Sequence, residues 1–137
     1  MSIGAAFELA LAAHAGQTDK SGEPYIAHVV RVAAGVEGTD AIIIALLHDV
    51  VEDTDVSLET VADRFGPKIA AAVDALSKRG NEPLEDYMSR VRADPVALSV
   101  KLSDLADNGS PARLARLDAA TRSRLETKYA KALKLLS

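Results

Sequence analysis

The chain has no cysteine, so it can form no disulfide and use no thiolate, and any metal it binds must be held by nitrogen and oxygen. That is compatible with a reducing compartment. Long apolar runs are also missing: the longest, residues 41–47, is seven residues, far short of the roughly 20 that a bilayer-spanning helix requires. Glu8 interrupts the apolar N-terminal stretch and no basic residue precedes it, which does not match a secretory leader. Nor is there a surplus of basic residues. Sixteen Lys and Arg against 20 Asp and Glu leave a net charge of −4, which argues against a nonspecific polyanion binder and requires any phosphate site to be local. Low-complexity tracts are absent, and so is strand-type alternation beyond a few residues. With 48% hydrophobic residues over 137 positions, the expectation is one cytoplasmic, all-helical domain covering residues 1–137, with no membrane or nucleic-acid partner.

What is present centres on residues 41–55, AIIIALLHDVVEDTD. Between Ala41 and Val51 only His48 and Asp49 are polar, and a segment apolar all round belongs inside a domain. Burying an imidazole beside a carboxylate is costly unless something compensates both, and a divalent metal would do so. If the helix continues, four-residue spacing sets Glu52 with His48 and Asp53 with Asp49. The plainer alternative is a helix end with its polar residues in solvent. Against it, acids crowded at the negative end of a helix dipole call for a cation.

The remaining segments read as helices. Residues 2–14 place Phe7, Leu11 and His14 on an inward face, and residues 16–24 form a turn-rich loop. Residues 25–36 are apolar apart from His28 and Arg31, and Thr39 or Asp40 is the expected cap of the central helix. Ser57 should cap a helix whose inward face is Leu58, Val61, Ala62 and Phe65. Residues 67–77 turn Ile69, Val73 and Leu76 inward, 78–83 form a polar loop without evident chemistry, and 84–93 make a charged, peripheral helix. Asp94 and Pro95 then start a helix with Leu98, Leu102 and Leu105 as its apolar stripe and Lys101, Asp104 and Asn108 together on one face. In the last segment Leu125, Tyr129, Ala132, Leu133 and Leu136 oppose Lys128, Lys131 and Lys134, a pattern suited to packing or to a homo-oligomer interface.

The succession His28, then His48-Asp49-x-x-Glu52-Asp53, then Lys101-Leu102-Ser103-Asp104-x-x-x-Asn108 resembles the HD superfamily of metal-dependent phosphohydrolases. Ala13-His14-Ala15-Gly16-Gln17, Lys20-Ser21-Gly22-Glu23-Pro24-Tyr25-Ile26-x-His28 and Leu46-Leu47-His48-Asp49-Val50-Val51-Glu52-Asp53-Thr54 are similar to the hydrolase domain of RelA/SpoT-type enzymes and to single-domain small alarmone hydrolases. The resemblance runs from His14 to Asn108. It implies a compact, multi-helix HD bundle that removes the 3′-pyrophosphate of (p)ppGpp with one Mn2+. It further implies His28, His48, Asp49 and Asp104 as metal ligands, and Glu52 and Asp53 as the acidic pair that orients or deprotonates the attacking water. Lys20, Ser21, Tyr25 and Asn108 would line the nucleotide site. The alternatives are hydrolysis of another nucleotide or phosphorylated metabolite, and a noncatalytic domain that keeps the pocket for binding.

Three places depart from the family pattern. Asp19 stands where a basic residue usually stacks on the purine. Leu105-Ala106-Asp107 replaces the arginine and histidine of K-L-A-D-R-x-H-N, and Pro111 falls where a phosphate-binding hydroxyl is often found. The expectation is that Asp19 and Asp107 repel a polyphosphate, that bases are poorly discriminated, and that Asp19→Arg improves binding.

Overall fold

A computed structural model describes residues 2–137, whose regular structure is helical: α1 (Ile3–Ala13), α2 (Tyr25–Ala34), α3 (Thr39–Leu47), α4 (Val50–Asp53), α5 (Leu58–Phe65), α6 (Pro67–Leu76), α7 (Leu84–Arg92), α8 (Pro95–Asn108), α9 (Pro111–Leu114) and α10 (Ala119–Leu136). Among the described residues the only β-type pairing is an isolated bridge between Thr18 and Pro24, which closes the loop after α1. No helix among them is long and apolar enough to cross a membrane.

The segment that is apolar on every side lies at the centre. α3 packs against α1, α2, α6 and α8, and Ala41, Ile43, Ile44, Ala45, Leu46 and Leu47 are all buried. Each large side chain so buried contributes roughly 1.5–3 kcal/mol, which is why the chain can hold polar groups at the end of this helix. Its expected caps are not used. Gly38, at φ 96°, leads into the helix without a side-chain cap, and Asp40 pairs with Lys68 instead at 3.1 Å. A positive φ favours glycine, so the entry angle is set by the backbone.

Other caps are as expected: the Ser57 hydroxyl accepts from the Thr60 amide, and Asp94 accepts from the amides of Val96 and Ala97. The inward face of α1 differs. Phe7 and Leu11 are 37% and 46% exposed, whereas Ala6, Ala10 and His14 are buried. Alanines let α1 approach α3 more closely than larger side chains would. On α8, Leu102 is exposed and Ala97, Val100, Asp104 and Leu105 face inward, so polar Asp104 replaces an apolar member of the expected stripe. α7 is not peripheral: Tyr87, Met88 and Val91 are buried against α6, α8 and α10. On α10, Leu133 is exposed, while Leu125, Ala132 and Leu136 are buried.

One close approach fixes how α2 sits on α8. A Cβ added at Gly35 would lie 2.3 Å from Ser103 Oγ, which donates to the Val32 carbonyl at 2.8 Å. Gly35→Ala should therefore lower stability by about 1–3 kcal/mol, the usual cost of overpacking. Adding Ser103→Ala should restore part of it. Denaturant melts of the single and double variants measure this, and an unchanged midpoint in Gly35→Ala would refute the tight contact.

Candidate metal centre and adjoining cavity

The α3 helix does not run on through its polar end. The chain turns at His48 and Asp49, the latter at φ −109° and ψ 0°, and α4 begins one residue later. The break frees carbonyls of the last turn, and His48 Nδ1 donates to one of them, Ala45 O, at 2.6 Å. In a neutral ring this commits the Nε2 lone pair to the other side. There Nε2 lies 2.9 Å from Asp49 Oδ2 and 3.6 Å from Asp104 Oδ1, buried and without an aligned hydrogen bond. A lone pair facing carboxylate oxygens is repulsive unless a cation stands between them.

His28 is held in a similar way. Its Nδ1 donates to Asp107 Oδ2 at 2.6 Å, which turns Nε2 to within 2.9 Å of Asp104 Oδ1. His28, His48 and Asp104 are all buried, and one donor atom from each lies within 4.8 Å of the others. Two imidazoles anchored through Nδ1, with Nε2 facing a shared carboxylate, fit a divalent ion with nitrogen and oxygen ligands. Asp49, the fourth ligand implied by the resemblance, touches His48 but lies outside that set, and the Tyr25 hydroxyl donates to its Oδ2.

The carboxylates place a strong negative field on His48, which a proton answers in the metal-free chain and a divalent ion would answer in its place. Burial acts to lower the pKa of His48, yet the carboxylates of Asp49 and Asp104 raise it well above the ordinary value. Burial would raise Asp104, but the hydrogen bond with His28, the nearby His48 imidazole and the charge of Lys101 hold it well below the usual carboxylate range. Lys101 Nζ is 3.2 Å from Asp104 Oδ2 and lies 5.3 Å from the centre of the Tyr87 ring, a largely buried pair instead of a surface one. Asp53 is different. Partial burial, then the charges of Asp49 and Glu52, push it up to about 6.

In front of the two histidines opens a cavity of about 730 Å3, lined by Lys20, Ser21, Tyr25, Asp49, Glu52, Asp53, Asp104 and Asn108 among others. Every non-histidine residue expected at the site thus meets one space. Glu52 accepts from the Lys78 amide at 2.7 Å, and Asn108 Nδ2 donates to Asp104 Oδ1 at 3.1 Å. Ser21 also turns back to its own loop, its hydroxyl donating to Asp19 at 2.8 Å. The rings of His14 and Tyr25 lie 5.0 Å apart, tilted by 43°.

Two acids have roles other than the repulsion expected of them. Asp107 orients His28 and is paired with Arg31 at 2.8 Å and Arg113 at 2.9 Å. Asp19 Oδ1 accepts from the Ser21 amide and hydroxyl and from the Glu23 amide, while Oδ2 accepts from Arg113 at 2.8 Å. Burial opposes ionisation of Asp19, but these bonds hold its pKa down to about 2. Lys78, Arg113, Lys128 and Tyr129 also line the cavity, and sequence reasoning missed them as site residues. None carries a motif, and Lys128 has the spacing of a solvent-facing lysine on α10.

Comparison with known proteins agrees with this geometry. A family model described as HD domain matches residues 6–99. A guanosine-3′,5′-bis(diphosphate) 3′-pyrophosphohydrolase of Aquifex aeolicus is 41% identical over 75% of this chain and 16% of its own length. A probable GTP pyrophosphokinase of Mycobacterium leprae is 34% identical over 75% of the chain and 15% of its own length. The chain therefore spans about one sixth of these curated relatives. A solved structure of a metazoan ortholog of SpoT, described as hydrolysing ppGpp and acting in starvation responses, superposes with a TM-score of 0.81 at 26% identity, covering 98% of this chain and 84% of that one. An anchored pair of histidines at the end of a buried helix, the match to the family model and this superposition agree, and the chain belongs to the HD-domain family.

Proposed function

We propose that the chain is a Mn2+-dependent phosphohydrolase that removes the 3′-pyrophosphate of (p)ppGpp-like nucleotides. The observation that carries this reading is the pair of buried imidazoles, His28 and His48, both anchored at Nδ1 and both facing Asp104, which lines a cavity of about 730 Å3. The names of the Aquifex aeolicus relative and of the metazoan structure support the choice of substrate.

In this reading His28, His48 and Asp104 hold the ion and Asp49 completes the set. A divalent ion there would supply Lewis acidity and a more acidic bound water. Asp107 and the Ala45 carbonyl fix the imidazole tautomers, and Tyr25 orients Asp49. Asp53, half-buried beside Asp49 and Glu52, suits the role of proton acceptor from the attacking water. Glu52 orients that water. Asn108 and Lys101 keep Asp104 in place and ionised, and Lys20 meets the nucleotide phosphates.

Incubating the chain with Mn2+ and ppGpp and resolving GDP and pyrophosphate by chromatography is the direct test. Glu52→Gln and Asp53→Asn should keep the metal and lose about 10²-fold or more in turnover, the scale of general acid–base catalysis. Absence of ppGpp hydrolysis by the parent with Mn2+ bound would refute the substrate assignment. Parent-like rates in both variants would remove the acidic pair from the mechanism.

A further inference from the structure

The acids around the metal centre are not held equally. The Tyr25 hydroxyl donates to Asp49 and the Lys78 amide to Glu52, whereas among the described residues no hydrogen bond reaches the Asp53 carboxylate. Where Asp53 points is therefore set by its backbone, and Asp53 is the last residue of α4, a helix of only four residues. So short a helix is not stable alone, and the carbonyls at its end lack partners within it. The Asp53 carbonyl finds a partner 36 residues earlier in the chain, where Gln17 Nε2 donates to it at 2.9 Å.

Gln17 is itself fixed from several sides. The chain leaves α1 through a left-handed turn at Gly16, φ 81°, and the Gln17 amide returns to the His14 carbonyl at 3.0 Å. Because Gln17 Nε2 is engaged with a carbonyl, the other end of the amide is Oε1, an acceptor, and it takes a hydrogen bond from Nδ1 of buried His14 at 2.8 Å. The Gln17 carbonyl accepts from the amide of Tyr25, the first residue of α2, at 2.9 Å. One residue thus ties α4, which carries the acidic pair, to the end of α1 and to the start of α2.

We infer that Gln17 is a positioning residue for the hydrolysis: its side-chain amide, clamped by His14, holds the Asp53 carbonyl and so keeps the Asp53 carboxylate in the cavity beside the metal centre. The catalytic consequence rests on the proposed hydrolase reading, and the tether rests on the hydrogen bonds alone. Gln17 does not line the cavity, so it acts through Asp53 and not on the substrate.

Gln17→Met keeps the length of the side chain and removes both of its hydrogen bonds. In that variant the amides of Asp53 and Thr54, which close α4 onto Asp49 and Val50, should exchange with solvent roughly two- to tenfold faster, the range for one lost hydrogen bond, while those of α3 keep their rates. For ppGpp, kcat should fall about ten- to a hundredfold, the scale for a misplaced reacting group, with KM and Mn2+ content close to the parent's. Gln17→Glu, which can still accept from His14 but offers Asp53 no donor, should show the same split. In an Asp53→Asn background Gln17→Met should cost little more, because both changes act on one group, whereas a general loosening of the fold would add its own loss. Unchanged exchange in α4, parent-like kcat in both Gln17 variants, or losses that multiply with Asp53→Asn would each overturn the inference. If α4 exchange quickens but the parent leaves ppGpp intact, the tether stands and the substrate assignment fails.

Discussion

Asp104→Ala should abolish Mn2+ binding and also lower the stability of the metal-free protein by roughly 3–5 kcal/mol, the cost of removing one partner from a buried ion pair. The carboxylate sits among His28 at 2.9 Å, Asn108 at 3.1 Å and Lys101 at 3.2 Å. Without it the Lys101 ammonium keeps only the face of Tyr87, and the two imidazoles lose the charge they share. Burial acts to lower the pKa of Lys101, and the Asp104 charge is the largest influence that raises it. Asp104→Asn, which keeps shape and a hydrogen-bond acceptor but loses charge, should fall between parent and Asp104→Ala. Metal analysis after Mn2+ loading and denaturant melts in chelator separate the two effects. Stoichiometric Mn2+ in Asp104→Ala would dismantle the proposed centre, and parent-like stability would mean that Lys101 finds another partner or water.

The second large effect reverses what the sequence suggests for Asp19. An arginine there was expected to provide a base-stacking cation. In the folded chain Asp19 ties the loop after α1 together through Ser21 and Glu23 and binds Arg113. Asp19→Arg would leave two loop amides without their acceptor and set one guanidinium against another. KM for ppGpp should rise tenfold or more, and amides of residues 16–24 should exchange faster with solvent. A fall in KM would instead vindicate the base-stacking role. The depressed pKa also predicts a pH dependence. A carboxyl near 2 when folded and near 3.8 when unfolded adds roughly 2 kcal/mol of stability above about pH 4, lost as pH falls toward 2. Acid titration of stability should show the advantage of the parent over Asp19→Asn in full above about pH 4 and shrinking as the pH falls toward 2.

Much of the site was legible in the chain because its parts are local. An apolar run that ends in His48-Asp49 needs burial, and burial of those two groups needs a cation, whatever surrounds them. The i, i+3 and i+4 relations of Lys101, Asp104 and Asn108 follow from helical geometry alone, and their contacts in α8 agree. The caps at Ser57 and Asp94 are likewise local. Misreadings arose where a residue's partner lies far along the chain. Asp107 reads as a misplaced charge until His28, Arg31 and Arg113 surround it, and Asp19 until Arg113 reaches it from 94 residues away. Phe7 and Leu11 satisfy the helical period of an inward face, yet the close approach of α1 to α3 selects the alanines beside them. Sequence by itself determined the helical class and the central helix that ends in His48 and Asp49, because periodicity, capping and the cost of burying polar groups act over a few residues, while the full set of candidate ligands was implied by the resemblance to a family. Only the tertiary structure decided which charges are neutralised, which face of α1 is buried and where Lys128 points, because those depend on packing and Coulomb contacts between segments whose separation in the chain carries no signal of their distance in space.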